Sequence, residues 1–288
     1  MQKYLKRINY NQEIRNDSTT LTKLCKQHME HIPFENLDMF GGKRRHLDFQ
    51  RVYNDLVLLK RGGFCYEHNG LFNWVLLECG YKVKMVQAAA YIDEVVGYGP
   101  DFDHLALLVT CCDGSEWLAD VGWGGNSFTH PLKFELTTEQ TQPNGVYRLH
   151  KLDDNFIVLQ KRKKTLIQMD NVECSVKKEK NAIEWESIYK FDLVPRKWED
   201  FKEMFDYQHD SEESFLKNNM LCAKQRDTGS IVVVGWSAHE KIYMDPLTEK
   251  YKWKRKQSDQ NEVKKILKDH FQIDIDFDLQ PNSKYKFV

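Results

Sequence analysis

The sequence lacks the features that would place a protein at a membrane, on nucleic acid or outside the cell. No apolar stretch approaches the roughly 20 residues that cross a bilayer, and residues 1–7 are polar, without the apolar core of a signal peptide. Lys and Arg number 42 against 43 for Asp and Glu, so no charge excess would attract nucleic acid. We therefore expect a cytoplasmic protein that binds neither membranes nor nucleic acid.

Cysteine is present without the spacing that metal sites or disulfide frameworks need. The seven cysteines are an odd number, and Cys111 and Cys112 are adjacent rather than in a C-x-x-C pair. The sequence contains neither a phosphate-binding loop nor a dinucleotide fingerprint. These absences predict free thiols in a reducing compartment, no metal site and no permanently bound cofactor.

The chain has enough apolar residues for two or three folded domains, since 41% of its 288 residues are hydrophobic. Capping residues and periodicity predict helices over about 19–30, 48–59, 65–79, 198–205 and 262–271. Alternating and β-branched runs predict strands over about 81–91, 104–111, 116–120, 147–149, 155–160, 165–170 and 230–236. This order predicts a helical region, then an antiparallel β region, then a mixed one.

Cys65 is the candidate nucleophile. It follows Gly62, Gly63 and Phe64 at the point where the third helix is predicted to begin. The N–H groups and the positive end of a helix dipole favour a thiolate there, and the thiolate is the reactive form of cysteine. The alternative interpretation is a small buried apolar side chain, as most buried cysteines are.

His104 and Asp120 are the candidate base and the carboxylate that orients it. A hairpin turn at Asp113 and Gly114 brings their two strands side by side. An odd turn puts both side chains on one face: a five-residue loop places them directly opposite, and a three-residue loop with Gly114 left-handed places them diagonally. A two-residue loop would place them on opposite faces unless a bulge intervened, so a catalytic role for both residues predicts an odd loop. The alternative interpretations are a structural histidine and a turn aspartate.

Four segments together resemble the arylamine N-acetyltransferase family: residues 33–38 (PFENLD), 61–67 (RGGFCYE), 104–109 (HLALLV) and 120–124 (DVGWG). The resemblance covers most of the chain. It implies ping-pong transfer of an acetyl group from acetyl-CoA to an aromatic amine, hydrazine or N-hydroxyarylamine. Cys65 would carry the acetyl group as a thioester, His104 would act as the base, and Asp120 would orient His104.

The same resemblance implies an α+β fold with a cysteine protease-like core. An N-terminal helical bundle over 1–84 would carry the nucleophile, an antiparallel β-barrel over 85–190 would carry the histidine and the aspartate, and a C-terminal α/β lid would span 191–288. Because the acceptors are aromatic, aromatic side chains are candidates for the acceptor pocket. These candidates are Phe34, Phe64, Phe102, Trp123, Phe128 and Phe201.

Contacts with CoA are also implied by the resemblance. In the family, the segment before the histidine often lies near the CoA phosphates. Glycines after the aspartate allow the backbone to approach the CoA pyrophosphate closely, and hydroxyl groups of the third region are further candidate contacts. The predicted contacts are Phe102, Asp103, Gly122, Gly124, Thr228 and Ser230.

Three features depart from the family's pattern. His68 stands where a leucine is common, and Trp123 stands where a phenylalanine is common. Asp101 and Asp103 precede His104 in place of a Thr- or Gly-containing segment. Carboxylates close to the CoA phosphates would repel them by about 1 kcal/mol per exposed pair. These two aspartates therefore predict either weaker binding of acetyl-CoA or a different acyl donor.

Other functions fit the same three residues. A thiol hydrolase or amidase would use the triad to transfer the acyl group to water, and an amide synthase would close a macrolactam on a bound polyketide. A fourth possibility is a non-catalytic binding protein on the same scaffold. Product analysis separates the enzymes, and the rate at which iodoacetamide labels Cys65 separates the enzymes from the binding protein.

Overall fold

The structure, a computed structural model, describes residues 1–167, 184–255 and 259–279. The helices are α1 (Gln2–Arg7), α2 (Ser18–His31), α3 (Leu37–Phe40), α4 (Phe49–Tyr53), α5 (Cys65–Glu78), α6 (Lys202–Asp210), α7 (Phe215–Asn218) and α8 (Gln260–Ile266). Two π-helical turns, Asn54–Leu58 and Leu267–Phe271, continue α4 and α8, and a 3-10 turn, Trp198–Phe201, precedes α6. All five predicted helices are present, whereas α1 and α3 were not predicted.

Capping side chains begin two of the predicted helices. Asp17 Oδ1 accepts a hydrogen bond of 2.8 Å from Thr20 N at the start of α2. Asp48 Oδ1 accepts one of 2.8 Å from Arg51 N at the start of α4. Each cap satisfies an N–H group that has no acceptor within its own helix, which is why these sequence signals located the helix starts.

The strands in chain order are β1 (Phe34–Glu35), β2 (Lys82–Asp93), β3 (Gly97–Tyr98), β4 (His104–Thr110), β5 (Glu116–Ala119), β6 (Leu132–Lys133), β7 (Gln140–Gln142), β8 (Gly145–Lys151), β9 (Ile157–Arg162), β10 (Thr165–Ile167), β11 (Trp185–Phe191), β12 (Leu221–Arg226), β13 (Gly229–Val234), β14 (Ser237–Asp245) and β15 (Thr248–Arg255). The predicted strand over 165–170 begins as expected, and its residues 168–170 lie outside the described residues.

The strands form two sheets. In the larger sheet the order is β6-β5-β4-β2-β11-β9-β8-β7, with antiparallel neighbours and β3 paired to β2. Its two edges meet where the backbone of Lys133 exchanges hydrogen bonds of 2.8 and 2.9 Å with the side chain of Gln140, which nearly closes the sheet into a barrel. The second sheet has the order β1-β12-β13-β14-β15-β10. The expected α+β class with an antiparallel barrel is confirmed.

Strand pairing crosses the borders of the predicted domains. The border at 84/85 falls inside β2 and the border at 190/191 falls inside β11, and both strands belong to the barrel. Strands β1 and β10, from the first and second predicted domains, extend the second sheet. The domain ranges stay a prediction.

Two further searches cover only the described residues. None of their helices has the length and apolar character needed to span a bilayer. No group of three or more His, Cys, Asp and Glu side chains in this part of the chain is arranged to hold a metal ion.

A chain of buried hydrogen bonds joins three helices. Tyr4 Oη on α1 lies 2.8 Å from His28 Nδ1 on α2, and His28 Nε2 lies 2.8 Å from His68 Nδ1 on α5. The chain ends at the carbonyl oxygen of Pro33, which lies 3.1 Å from His68 Nε2. Burial lowers the pKa of both histidines, that of His68 to about 4, so both rings are neutral near pH 7.

Histidines that burial holds neutral make the protein less stable in mild acid. Burial also lowers the pKa of His239 on β14 to about 4, whereas a histidine of the unfolded chain titrates near about 6.5. Between these values the unfolded state binds protons that the folded state does not, so the free energy of unfolding falls as the pH decreases. We expect a fall of roughly 3 kcal/mol between pH 6 and pH 5, about 1 kcal/mol for each of the three histidines, measured by urea unfolding.

Two variants test whether buried histidines cause this dependence of the free energy of unfolding on pH. His239→Gln removes one buried neutral histidine and should make the dependence on pH shallower. His150→Gln, at an exposed position, should leave the dependence unchanged. A free energy of unfolding that is constant from pH 6 to pH 5 would contradict the explanation.

Candidate active site

Cys65 begins α5 and lies against the segment that leads into β4. Its side chain is 5% exposed, and its Sγ lies 4.0 Å from the carbonyl oxygen of Asp103. Tyr66 Oη donates hydrogen bonds of 2.8 and 2.9 Å to the carbonyl oxygens of Phe102 and Asp103. The start of α5 is therefore held beside the residue that immediately precedes His104.

The hairpin of β4 and β5 has the predicted odd turn. Residues 112–114 form a three-residue turn closed by a hydrogen bond between the flanking residues, and Gly114 is left-handed with φ +82°. The register places Asp120 opposite Ala106, which is diagonal to His104 on the same face. His104 Nε2 lies 2.8 Å from Asp120 Oδ2, and both side chains are buried.

Asn69 fixes Asp120 from the helix that carries Cys65. Its Nδ2 donates to Asp120 Oδ1 at 2.8 Å, and its Oδ1 accepts from Val121 N at 3.0 Å. Gly122 N donates to the same aspartate oxygen at 2.9 Å. Asn69 was not among the predicted site residues; its spacing of four from Cys65, which puts both on one face of a helix, was the available signal.

Asp120 is ionised in this environment. Burial by itself raises the pKa of Asp120, but the interaction with His104 and the hydrogen bonds from Asn69 and Gly122 outweigh burial, so the pKa lies below its ordinary value. A charged carboxylate bonded to Nε2 keeps the imidazole in one tautomer and stabilises its protonated form.

The helix terminus favours a thiolate at Cys65, but burial opposes it. Burial raises the pKa of the Cys65 thiol well above its ordinary value, and the carboxylates of Asp103 and Asp120 raise it further, while the Tyr66 N–H lowers it. A helix terminus typically contributes at most about 1 kcal/mol, less than one pKa unit, which is too little to offset burial. The thiol therefore needs a base to remove its proton.

Two aromatic rings pack against His104. The ring centroids of Trp123 and Tyr189 lie 4.9 and 5.2 Å from that of the imidazole, and 5.1 Å from each other. Burial and the nearby Asp120 carboxylate raise the pKa of Tyr189, so its hydroxyl stays protonated. No sequence signal pointed to Tyr189, because nothing local indicates that β11 pairs with β2 beside His104.

A buried cluster of opposite charges holds the loop before Cys65. The fully buried Glu35 accepts hydrogen bonds from Arg45 (3.1 Å), Arg61 (3.0 Å) and the Gly62 N–H (3.1 Å). Both arginines also donate to Asp38, at 2.8 Å each. The cluster thus joins the segments 33–38 and 61–67, two of the four that carry the family resemblance.

Glu67 extends the charged cluster into α5. Its Oε2 accepts from Phe64 N at 2.8 Å, which caps the helix, and its Oε1 accepts from Arg51 Nη2 at 2.6 Å. Arg45 Nη1 lies 3.4 Å from Glu67 Oε2. Each of these buried carboxylates therefore has a guanidinium partner, which is the condition under which buried charge is tolerated.

Phe102 and Asp103, two of the predicted CoA contacts, lie on the Cys65 side of the site. Phe102 has a left-handed backbone with φ +64°, and its ring lies 5.4 Å from that of Phe201. Asp103 Oδ1 accepts from Gln208 Nε2 at 2.8 Å, so this carboxylate is bonded to α6. Burial raises the pKa of Asp103.

Gly122 and Gly124 have structural reasons to be glycine. A Cβ on Gly122 would come within 2.9 Å of Cys65 Cα, so the backbone here approaches Cys65 closely. Gly124 has φ +85°, and a Cβ there would come within 2.7 Å of the Phe34 ring. Both requirements hold without a ligand.

Thr228 and Ser230 lie in the hairpin between β12 and β13. The Thr228 carbonyl accepts from Tyr243 N at 3.0 Å, and Ser230 pairs across the strands with Gln225. The preceding Asp227 binds the hairpin to the rest of the fold. Its carboxylate forms an ion pair with Lys26 on α2 and a hydrogen bond with His130, whose Nε2 lies 3.0 Å away.

The aromatic residues predicted for the acceptor pocket separate into two groups. Phe34, Trp123 and Phe128 line a cavity of about 10 Å³ beside Asp120 and Gly124. Phe64 and Phe201 are fully buried in the core that α5 shares with α6, and Phe102 packs partly buried against the same core; none of the three lines this cavity. Whether one of these aromatic side chains lines the cavity or lies in the core therefore depends on how the elements pack.

Comparison with known proteins points to one family. A family model described as N-acetyltransferase matches residues 17–280. The liver isozyme of arylamine N-acetyltransferase from Gallus gallus is 31% identical over 98% of this chain and 98% of its own length. Arylamine N-acetyltransferase from Mycobacterium marinum has a TM-score of 0.80 and 28% identity, covering 94% of this chain and 92% of that chain. A structure of that enzyme in complex with CoA has a TM-score of 0.80 and 27% identity at the same coverage.

The charged cluster predicts that replacing the Glu35 carboxylate by an amide destabilises the protein strongly. Glu35→Gln keeps the shape of the side chain but leaves Arg45 and Arg61 with less negative charge than buried guanidinium groups need. We expect the free energy of unfolding to fall by about 3 kcal/mol, measured by urea unfolding. Asp210→Asn, at an exposed ion pair with Arg44, is the matched control and should change the free energy by less than about 1 kcal/mol. Equal effects of the two substitutions would contradict the anchoring role of Glu35.

Proposed function

This chain belongs to the arylamine N-acetyltransferase family, and from that membership we propose that it transfers the acetyl group of acetyl-CoA to an aromatic amine, hydrazine or N-hydroxyarylamine. The observation that carries the proposal is the His104–Asp120 pair, bonded at 2.8 Å, with Cys65 held beside the residue that precedes His104. A nucleophile, a base and an orienting carboxylate are the parts that covalent acyl transfer requires.

In the first half-reaction Cys65 attacks the thioester carbonyl of acetyl-CoA. Because burial keeps the thiol protonated, its proton passes to His104 as the bond from Sγ to carbon forms. The bond between the carbonyl carbon and the CoA sulfur then breaks, and the imidazolium returns the proton to that sulfur. Since Nε2 is bonded to Asp120, Nδ1 is the nitrogen that exchanges the proton.

In the second half-reaction the amine nitrogen attacks the acetyl group on Cys65. His104 accepts the proton that the amine loses, the bond between the carbonyl carbon and Sγ breaks, and the proton returns to the sulfur. The N–H of Cys65, in the first turn of α5 where such groups have no acceptor within the helix, is the proposed donor to the oxyanion. The low exposure of Cys65 favours transfer over hydrolysis, because water must be kept from the thioester.

Acetyl-CoA is the acyl donor in this proposal, not a resident cofactor. The solved CoA complex of the Mycobacterium marinum relative supports it. The six contacts predicted for CoA stay predictions, as do a cytoplasmic location and the absence of a nucleic-acid partner. The hydrogen bond from Gln208 holds Asp103 but does not remove its charge, so the repulsion between this carboxylate and the CoA phosphates also stays a prediction.

Brief exposure to acetyl-CoA should acetylate the protein once, on Cys65. Intact-mass spectrometry should show an increase of about 42 Da, one acetyl group in thioester linkage, and peptide mapping should place it. Cys65→Ala should gain no mass, whereas Cys112→Ala, which removes an exposed thiol, should gain as much as the unsubstituted protein. An adduct on another cysteine, or none, would exclude the proposed nucleophile.

The same acetylated protein separates transfer from hydrolysis. Addition of aniline should release N-acetylaniline and the free enzyme. If only acetate and CoA appear, the protein is a thiol hydrolase.

Asp120→Asn should slow the acetylation of Cys65 by roughly 10²-fold or more, because a neutral amide does not stabilise the imidazolium. The near-identical shape of the two side chains should leave the far-ultraviolet circular dichroism unchanged. Glu116→Gln, an exposed position on the strand that leads to Asp120, is the control and should react at the ordinary rate. An unchanged rate in Asp120→Asn would remove Asp120 from the mechanism.

A further inference from the structure

We propose that His68 is a positioning residue for the acyl acceptor. It holds Phe34 in the lining of the cavity that Phe34 shares with Trp123, and thereby sets how well an aromatic amine reaches the acetylated Cys65. This inference rests on the proposed function and deepens it, because it concerns the acceptor step of that reaction. Neither the geometry of the triad nor the covalent chemistry requires a histidine at this place.

His68 contacts the segment before β1 in two ways. Its Nε2 lies 3.1 Å from the carbonyl oxygen of Pro33, and its ring lies nearly parallel to that of Phe34, at a centroid distance of 6.3 Å and an angle of 16°. The position of the Phe34 ring is therefore set from its backbone and from one face by the same side chain. Because His68 follows Cys65 by three residues, the helix that carries the nucleophile also carries this support.

Phe34 is confined on another side by the segment after Asp120. The ring lies so close to Gly124 that a Cβ on this glycine would approach it to 2.7 Å. Phe34 and Trp123 line the same cavity, and Trp123 packs against the His104 imidazole at 4.9 Å. The cavity is about 10 Å³ and is also lined by Asp120, so a displacement of Phe34 changes the space beside the carboxylate that holds the proposed base.

The hydrogen bonds behind His68 fix which nitrogen carries its proton. A carbonyl oxygen only accepts, so His68 Nε2 donates to Pro33, and in the neutral ring Nδ1 is then an acceptor. His28 Nε2 donates to that Nδ1, and the Tyr4 hydroxyl donates to His28 Nδ1. This arrangement of protons satisfies every bond of the chain. A leucine in place of His68 would leave the Pro33 oxygen and the His28 N–H without these partners.

The test compares the two half-reactions in His68 variants of the full chain. Acetylation of Cys65 by acetyl-CoA is followed by mass spectrometry, and its deacetylation is followed with aniline as the acceptor. In His68→Leu, the ratio of the rate constant for deacetylation to that for acetylation should fall about tenfold, through a higher KM for aniline. His68→Gln, whose side-chain amide can donate to Pro33, should recover most of the ratio.

Two further variants keep the test decisive. His239→Leu removes a histidine of similar burial and equally lowered pKa on β14, three strands from β1 in sheet order, and should leave the ratio unchanged. Tyr4→Phe removes only the hydrogen bond at the far end of the chain. It should lower the ratio two- to threefold, roughly the effect of losing one hydrogen bond. This variant serves in place of His68→Leu if His68→Leu does not fold.

The outcomes separate this inference from the function on which it rests. If His68→Leu slows both half-reactions equally, or if His68→Gln recovers nothing, His68 is a structural residue and the inference is wrong. If the unsubstituted protein never forms acetyl-Cys65, the proposed function itself fails. If it forms acetyl-Cys65 and the ratio is the same in all variants, only the role of His68 is excluded.

Discussion

The pairing of Glu35 with Arg45 and Arg61 is the interaction on which the geometry of this protein depends. A carboxylate and guanidinium groups are costly to remove from water unless each finds an opposite charge and well-formed hydrogen bonds. Here Glu35 is fully buried and also accepts the Gly62 N–H just before the nucleophile. Because Glu35 belongs to β1, which pairs with β12 of the second sheet, the same carboxylate couples the placement of Cys65 to the docking of that sheet.

Burial acts in opposite directions on the two ends of the proposed triad. At Asp120 the loss of solvent is outweighed by His104, Asn69 and Gly122, so the carboxylate stays charged. At Cys65 the loss of solvent is not compensated, and neighbouring carboxylates add to it, so the thiol keeps its proton. The consequence is a nucleophile that needs its base, which makes the orientation of His104 by Asp120, and its confinement by Trp123 and Tyr189, central to the reaction.

Local signals located the parts of the site that depend on neighbours in sequence. The glycines before Cys65 marked the start of α5, and the turn at Gly114 fixed the parity that puts His104 and Asp120 on one face. The sequence analysis did not identify Asn69 and Tyr189, because their importance comes from contacts with strands that are distant along the chain. The direction in which the pKa of the Cys65 thiol shifts was not predicted for the same reason. It depends on what surrounds Cys65 and not on its place in a helix.

The amino-acid order alone determined the α+β class, the capped helices around Cys65, and the family. Each of these follows from short-range stereochemistry or from motifs that are contiguous in the chain. The tertiary structure decided which charges pair around Glu35, which sheet receives β1 and β10, and how His68 comes to support Phe34. Those outcomes depend on the meeting of segments far apart in sequence and on the exclusion of water between them, which no local pattern encodes.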